Sequence, residues 1–193
     1  MARRESIAQL EQSSRSEKEK YRRMWRHSQY AEASHGVAGI NAVLKDHIKI
    51  SRGETVYDFG CGDGGVVDIL CARGIDATGI DIVALDSGIL EYPLWNMPSD
   101  LEPAAYGLCF DVMQCVPEDL VEASLAGISR LVTKEAWFQI ALGEDDLGTL
   151  IGRPLHVTRK PIGWWRNRLL NHFSGCRMGQ PNDTTWLWAH VRK

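Results

Sequence analysis

The chemistry legible in this chain is concentrated in carboxylates and glycines at close spacing. Asp58, Gly60, Gly62 and Gly64 stand at alternate positions directly after the apolar pair Val56 and Tyr57. Glycines in such a run let a ligand approach the backbone, because no Cβ intervenes and positive φ is open to them. Residues 66–73 read as a helix whose free N–H groups would point back at this loop. The acid narrows the ligand: a carboxylate two residues before the first glycine would repel a pyrophosphate, whereas it suits a molecule carrying an ammonium or a sulfonium. A second acid, Asp81, ends another short strand, 77–82, after a Gly74 stop. At about 20 residues beyond such a loop, nucleotide folds place an acid whose two oxygens accept from ribose hydroxyls.

Residues able to move a proton are fewer. His156 falls in an irregular stretch punctuated by Gly152, Pro154 and Pro161, and His35 lies just ahead of a helical pattern. Both are candidates for a base or for a group that orients an acceptor. The cysteines, Cys61, Cys71, Cys109, Cys115 and Cys176, are odd in number and never form Cys-x-x-Cys. That spacing indicates neither a disulfide framework nor a zinc site, and predicts reduced thiols.

The run Asp58-x-Gly60-x-Gly62-x-Gly64 resembles the first motif, [DE]-x-G-x-G-x-G, of the class I S-adenosylmethionine-dependent methyltransferases. The resemblance implies that Asp58, Phe59, Gly60, Cys61, Gly62 and Gly64 hold the methionine end of S-adenosyl-L-methionine, with Asp81 and Ile82 at the ribose. Residues 106–117 resemble the family segment F-D-V-L-E-H-[IV]-P: Asp111, Val112, Met113 and Pro117 match, and Gln114 and Cys115 replace the usual Glu and His. A base at that histidine position is therefore lost, while Asp111 and Val112 stay in the implied cofactor set. Leu94 and Trp95, after a third short strand at 88–92, are placed to cover the adenine face, with Glu91 and Asn96 as polar choices for its amino group. Trp25, Tyr30 and His35 are the candidates for a lid over the cofactor, although Trp25 and Tyr30 read equally well as packing residues. The chain carries neither [DNS]-P-P-[YFW] nor a Pro-Cys pair, so no motif for nucleobase methylation is present. The likeness spans residues 50–142 by motif.

The elements that must position these residues follow from periodicity. Residues 1–20 have few apolar side chains and read as a frayed helix adding little to a core, whereas Tyr21, Met24 and Trp25 form an apolar stripe that docks. Ile40, Val43, Leu44 and Ile48 mark one face of a helix over 37–47, and Leu120, Val121, Leu125, Ile128 and Leu131 one face of a helix over 118–131. Residues 136–142 are a continuous apolar run, a buried strand, and Glu144, Asp145 and Asp146 follow at the edge where ligands bind in open parallel sheets. Residues 162–173 read as a helix, and 175–178 with 184–191 as a closing hairpin. The family likeness then implies an α/β, doubly wound, Rossmann-like, mostly parallel sheet in the order 3-2-1-4-5-7-6 with strand 7 antiparallel. Residues 1–49 form a helical cap and 50–193 the methyltransferase domain.

At 193 residues and 44% hydrophobic content the chain suits one such domain. No apolar run reaches a membrane span and no signal-peptide core follows Met1, so a soluble, cytoplasmic protein is expected. The net charge of -3 conceals a division: residues 1–27 carry eight Lys and Arg against four acids, residues 153–193 eight against one, and the middle six against twenty. The leading expectation is methyl transfer to O or N of a small molecule. The alternative is a protein of this fold that binds nucleic acid or a partner through its basic ends. A nicotinamide oxidoreductase stays open as well, because Gly60, Gly62 and Gly65 also fit G-x-G-x-x-G.

Overall fold

The computed structural model describes residues 2–32, 35–181 and 185–193, with side chains from Leu10 onward and, after the second interval begins, from Gly36. Seven strands form one sheet: β1 (Thr55–Phe59), β2 (Asp76–Asp81), β3 (Leu90–Glu91), β4 (Ala104–Phe110), β5 (Val132–Ala141), β6 (Gly175–Gly179) and β7 (Trp186–Arg192). Their order is β3-β2-β1-β4-β5-β7-β6. The first five are mutually parallel, and β7 runs antiparallel to both β5 and β6. The helices are α1 (Ala2–Met24), α2 (Ser28–Ala31), α3 (His35–Asp46), α4 (Gly65–Ala72), α5 (Val121–Leu131) and α6 (Ile162–His172).

The central strands β1 and β4, and the 136–140 stretch of β5, are buried on both faces, as the middle of a parallel sheet requires. Leu120, Val121, Leu125, Ile128 and Leu131 all turn inward from α5 and the 3₁₀ turn before it, joining Phe138, Trp165, Leu169 and Phe173 in one core. Each such side chain withdrawn from water is worth about 1.5–3 kcal/mol. On the opposite face Ile40, Val43 and Ile48 pack with Val66, Leu70 and Trp137.

Two boundaries differ from the sequence reading. β5 starts four residues early, at Val132, where Thr133, Lys134 and Glu135 are polar and not buried and so interrupt the apolar run that marked the strand. β3 shrinks to two residues pairing Ile80 with Leu90 and Asp81 with Glu91. Position 184 of the closing hairpin lies outside the described residues. Among the described residues no helix is long and apolar enough to cross a membrane.

The first 20 residues do more than expected. α1 lies as a strap over the carboxyl ends of the strands, with Glu17 8%, Lys20 1% and Met24 0% exposed. On one side the Trp95 indole N–H donates to Ser14 Oγ at 2.9 Å and Lys18 pairs with Glu91. On the other side Arg153 meets Glu17 at 3.3 Å. Sequence reasoning missed this because residues 1–20 have few apolar side chains: ahead of the Tyr21 and Met24 packing, and apart from Leu10, the strap's described anchors are charge pairs and hydrogen bonds, which leave no periodic pattern.

The divided charge of the sequence is answered in part within the fold. Lys18 and Arg153 make the contacts just given, Arg159 meets Glu144, Lys160 meets Glu118, Arg168 meets Glu122, and Arg192 meets Glu135.

Candidate functional site

A cavity of about 540 Å³ opens where the carboxyl ends of β1, β2, β4 and β5 meet the strap, a volume within the range of small-molecule sites. The glycine loop forms its floor. Gly60 N–H and Cys61 N–H both donate to the Ile80 carbonyl, at 2.7 and 3.3 Å, which sews the loop onto β2. Gly60 has φ of 79°, and a Cβ there would lie 2.1 Å from Cγ2 of Val112, so only glycine lets the β4 exit close over the loop. Gly62, φ 60°, carries the Trp25 indole: a Cβ would come within 3.0 Å of that ring. The cap thus rests directly on the loop, and Trp25 in turn meets Tyr30 edge to face, with ring centroids 4.9 Å apart.

Two carboxylates face this floor. Asp58, at the end of β1, is 2% exposed. Burial pushes its carboxyl from the ordinary 3.8 up to about 7, the charge of Asp81 adds to the effect, and no hydrogen bond offsets either. Asp81 is pushed up to about 6 by burial, moderated by backbone donors. Gly62 N–H donates to its Oδ2 and Val83 N–H to its Oδ1, each at 2.9 Å, so each oxygen retains a free lone pair. A buried carboxylate without a counter-charge is costly, and a cationic or hydroxyl-bearing ligand would answer both acids.

Asp111, after β4, has φ of 56° and is the one non-glycine with positive φ among the described residues. Gln139 holds it there: Asp111 N–H donates to the Gln139 carbonyl, and Gln139 Nε2 donates to Asp111 Oδ2, both at 2.9 Å. A conformation of this kind costs about 1–3 kcal/mol and is characteristic of functional edges. Cys115 lines the cavity where the family segment has histidine, and burial pushes its thiol up to about 12. It is no base. Gln114 is fully buried, with neither side-chain polar atom hydrogen-bonded, while its carbonyl accepts from Val157 and Thr158 at 2.9 Å. That pair of bonds carries the 152–161 loop to the cavity.

His156 lines the cavity from this loop. Its Nδ1 lies 2.9 Å from the Gly143 carbonyl. A carbonyl only accepts, so the neutral ring keeps its proton on Nδ1 and its lone pair on Nε2. Asp145 fixes the loop's backbone, accepting from Gly148 N–H at 2.6 Å, Leu155 N–H at 2.8 Å and His156 N–H at 3.0 Å. Burial raises the Asp145 carboxyl, yet these three donors outweigh it and hold the group below its ordinary value.

Of the residues expected from the sequence, Asp58, Gly60, Cys61, Gly62, Asp81, Ile82, Leu94, Trp95, Asp111, Val112, Tyr30, Trp25 and His156 share the cavity wall. Phe59 does not: alternation along β1 turns its side chain into the core, beside Tyr57. Gly64, φ 87°, sits behind the wall as the N-cap of α4. Glu91 and Asn96 also stand outside it, Glu91 being engaged by Lys18 and by Ala84 N–H. His35 is the first residue of α3, and its side chain lies outside the described residues. Sequence reasoning named none of Glu17, Tyr21 and Asp145 as an individual site residue, yet all three line the cavity. Tyr21 belonged to the docking stripe, and Asp145 to the acidic loop after β5. Glu17 gave no signal beyond its spacing to Lys20.

No family model and no curated protein matches the chain. Solved structures do match. A TehB-like SAM-dependent methyltransferase from Corynebacterium glutamicum superposes with a TM-score of 0.62 at 18% identity, over 92% of this chain and 98% of the other. The magnesium protoporphyrin IX methyltransferase of Synechocystis, solved with S-adenosylhomocysteine (SAH), gives 0.59 at 18% identity over 81% of each chain. The 1,6-didemethyltoxoflavin-N1-methyltransferase of Burkholderia thailandensis, solved with 1,6-didemethyltoxoflavin and SAH, gives 0.61 at 18% identity over 98% of this chain and 89% of the other. The fold is that of the class I methyltransferases, in the strand order the sequence led us to expect.

Proposed function

We propose that this protein is an S-adenosylmethionine-dependent methyltransferase acting on an oxygen or nitrogen of a small-molecule acceptor. The observation that carries the reading is the convergence of two buried carboxylates, Asp58 and Asp81, on one glycine-floored cavity. The α-ammonium of the cofactor's methionine answers Asp58, which has no compensating hydrogen bond. Its ribose hydroxyls answer the free lone pairs of Asp81, and Ile82, Leu94 and Trp95 offer apolar surface to the base. Phe59 and Gly64 shape the loop from behind. The bound cofactor supplies an already activated methyl group. What remains for the chain is to align the acceptor and exclude water, tasks for the strap and for Trp25 and Tyr30. His156 serves as base, its Nε2 lone pair oriented by the Gly143 bond.

The fold shared with solved methyltransferases supports this reading over nicotinamide chemistry, and a carboxylate at the loop disfavours a pyrophosphate. The nucleic-acid alternative has less support, since many of the basic residues are paired within the chain. Calorimetric titration with S-adenosylmethionine and with NAD separates the readings. One-to-one binding of the former alone is expected, and binding of NAD alone would return the loop to the dinucleotide reading.

A further inference from the structure

The strap α1 is fastened in two different ways along its length. From Lys20 to Met24 it is seated: Lys20 is 1% and Met24 0% exposed, and Met24 packs with Ile151 and Leu155, with Tyr21 beside them. From Ser14 to Lys18 it is tied by polar side chains. Lys18 meets Glu91, and Arg153 reaches Ser16 Oγ and Glu17. The Ser14 hydroxyl donates to the Leu10 carbonyl at 2.8 Å, which leaves a lone pair to accept the Trp95 indole N–H at 2.9 Å. Within residues 10–18 only Leu10 is apolar, and it rests on the edge of the main core.

The same half is soft as a helix. Ser13, Ser14 and Ser16 fall within four positions. Serine hydroxyls compete for backbone groups, and a serine that bonds back to the carbonyl four residues earlier loosens the turn it sits on. Ion pairs near the surface hold weakly and are screened by salt. A helix with screened ties at one end and a buried seat at the other opens from the tied end.

The position of that end gives the opening a consequence. Outside the strap lies a second hollow of about 280 Å³, lined by Ser14, Lys18, Glu91 and Asn96. Ile82 and Pro93 border both this hollow and the main cavity. Glu17 faces the cavity while Ser14 and Lys18 face the outer hollow, so the helix itself is the partition between them. Trp95, which lines the cavity, is the post to which Ser14 is tied.

We propose that residues 10–18 are a gate latched by Lys18 and Glu91, which opens at the β3 end of the cavity while residues 20–24 stay seated. Opening joins the two hollows and sets the rate at which a ligand enters and leaves beside Trp95. That this ligand is the cofactor rests on the methyltransferase reading; the latch does not.

The test pairs amide hydrogen exchange of the protein without ligand with stopped-flow rates for SAH. Glu91→Lys, which sets two ammonium groups together, should speed exchange over residues 10–18 at least tenfold and leave residues 20–24 at their wild-type rates. Adding Lys18→Glu restores an opposite-charge pair and should recover most of the protection. Raising the salt from 0.05 to 0.5 M should speed exchange over 10–18 severalfold in the wild type. SAH association and dissociation should both quicken in Glu91→Lys and slow again in the double variant, with the Kd moving far less than either rate. Exchange over 10–18 that ignores these changes, exchange of 10–18 and 20–24 as one unit, or SAH rates unmoved while 10–18 opens faster would each overturn the inference. Latch-controlled exchange in a protein that fails to bind SAH would support the gate and refute the methyltransferase reading.

Discussion

Replacing Asp58 with asparagine removes one charge from the least solvated carboxylate of the site and should alter stability and binding in opposite directions. The folded protein binds the Asp58 proton more tightly than the unfolded chain, its pKa being about 7 against an ordinary 3.8. Stability from this group is therefore fully present below pH 4 and is lost as the pH rises through about 7. At 1.36 kcal/mol per pKa unit the loss amounts to about 4 kcal/mol, and at 2% exposure solvent screens little of it. Urea unfolding at pH 4 and pH 8 should show the wild-type protein losing about 4 kcal/mol more than Asp58→Asn across that interval. Binding runs the other way. A cation is held by the ionised form, so wild-type affinity for S-adenosylmethionine should fall up to tenfold per pH unit below about 7. In the variant it should be weak and nearly flat above about pH 6, where Asp81 stays ionised. Parallel unfolding profiles for the two proteins would refute the reasoning.

Three other substitutions probe the supports of the site. Gly60→Ala forces a Cβ to 2.1 Å from Val112 at φ 79°, and should cost about 3 kcal/mol in thermal or urea unfolding; adding Val112→Ala should recover the steric part only. Asp145→Ala strips the acceptor from three backbone N–H groups. A stability loss of about 2–3 kcal/mol is expected, with hydrogen exchange accelerated at Gly148, Leu155 and His156 and SAH affinity unchanged. Glu17→Ala leaves the Lys20 ammonium, 1% exposed, without its carboxylate neighbour, and should destabilise by about 3–5 kcal/mol. The pair is close without hydrogen-bond alignment, so Glu17→Gln with Lys20→Met should be far milder.

The sheet was legible because its information is local. The apolar runs ending in Asp58, Asp81 and Asp111 each mark a parallel strand, and Gly60 and Gly62 need positive φ where the chain must turn. The glycine-floored end of the cavity, lined by Asp58, Asp81 and Asp111, followed from those strand ends. The Phe59 side chain lies in the core and not in the cavity wall, because motif membership does not say which face of a strand a residue occupies and the two-residue period of β1 turns it inward. Glu91 was drawn away by a lysine 73 positions earlier, and no local pattern announces a contact of that span. The strap was unreadable for the same reason. Its anchors, Ser14 to Trp95, Lys18 to Glu91 and Glu17 to Arg153, are polar pairs distant in sequence, whereas periodicity detects only the apolar stripe at Tyr21, Met24 and Trp25.

The most direct test of the central claim is a calorimetric titration of S-adenosylmethionine into the wild-type protein, Asp58→Asn and Asp81→Asn at pH 8. Asp58 and Asp81, as the two acids of one cofactor site, should give a single wild-type site per chain, weakened at least tenfold by either substitution. Absence of binding to the wild-type protein, or affinity unchanged in both variants, would contradict the account.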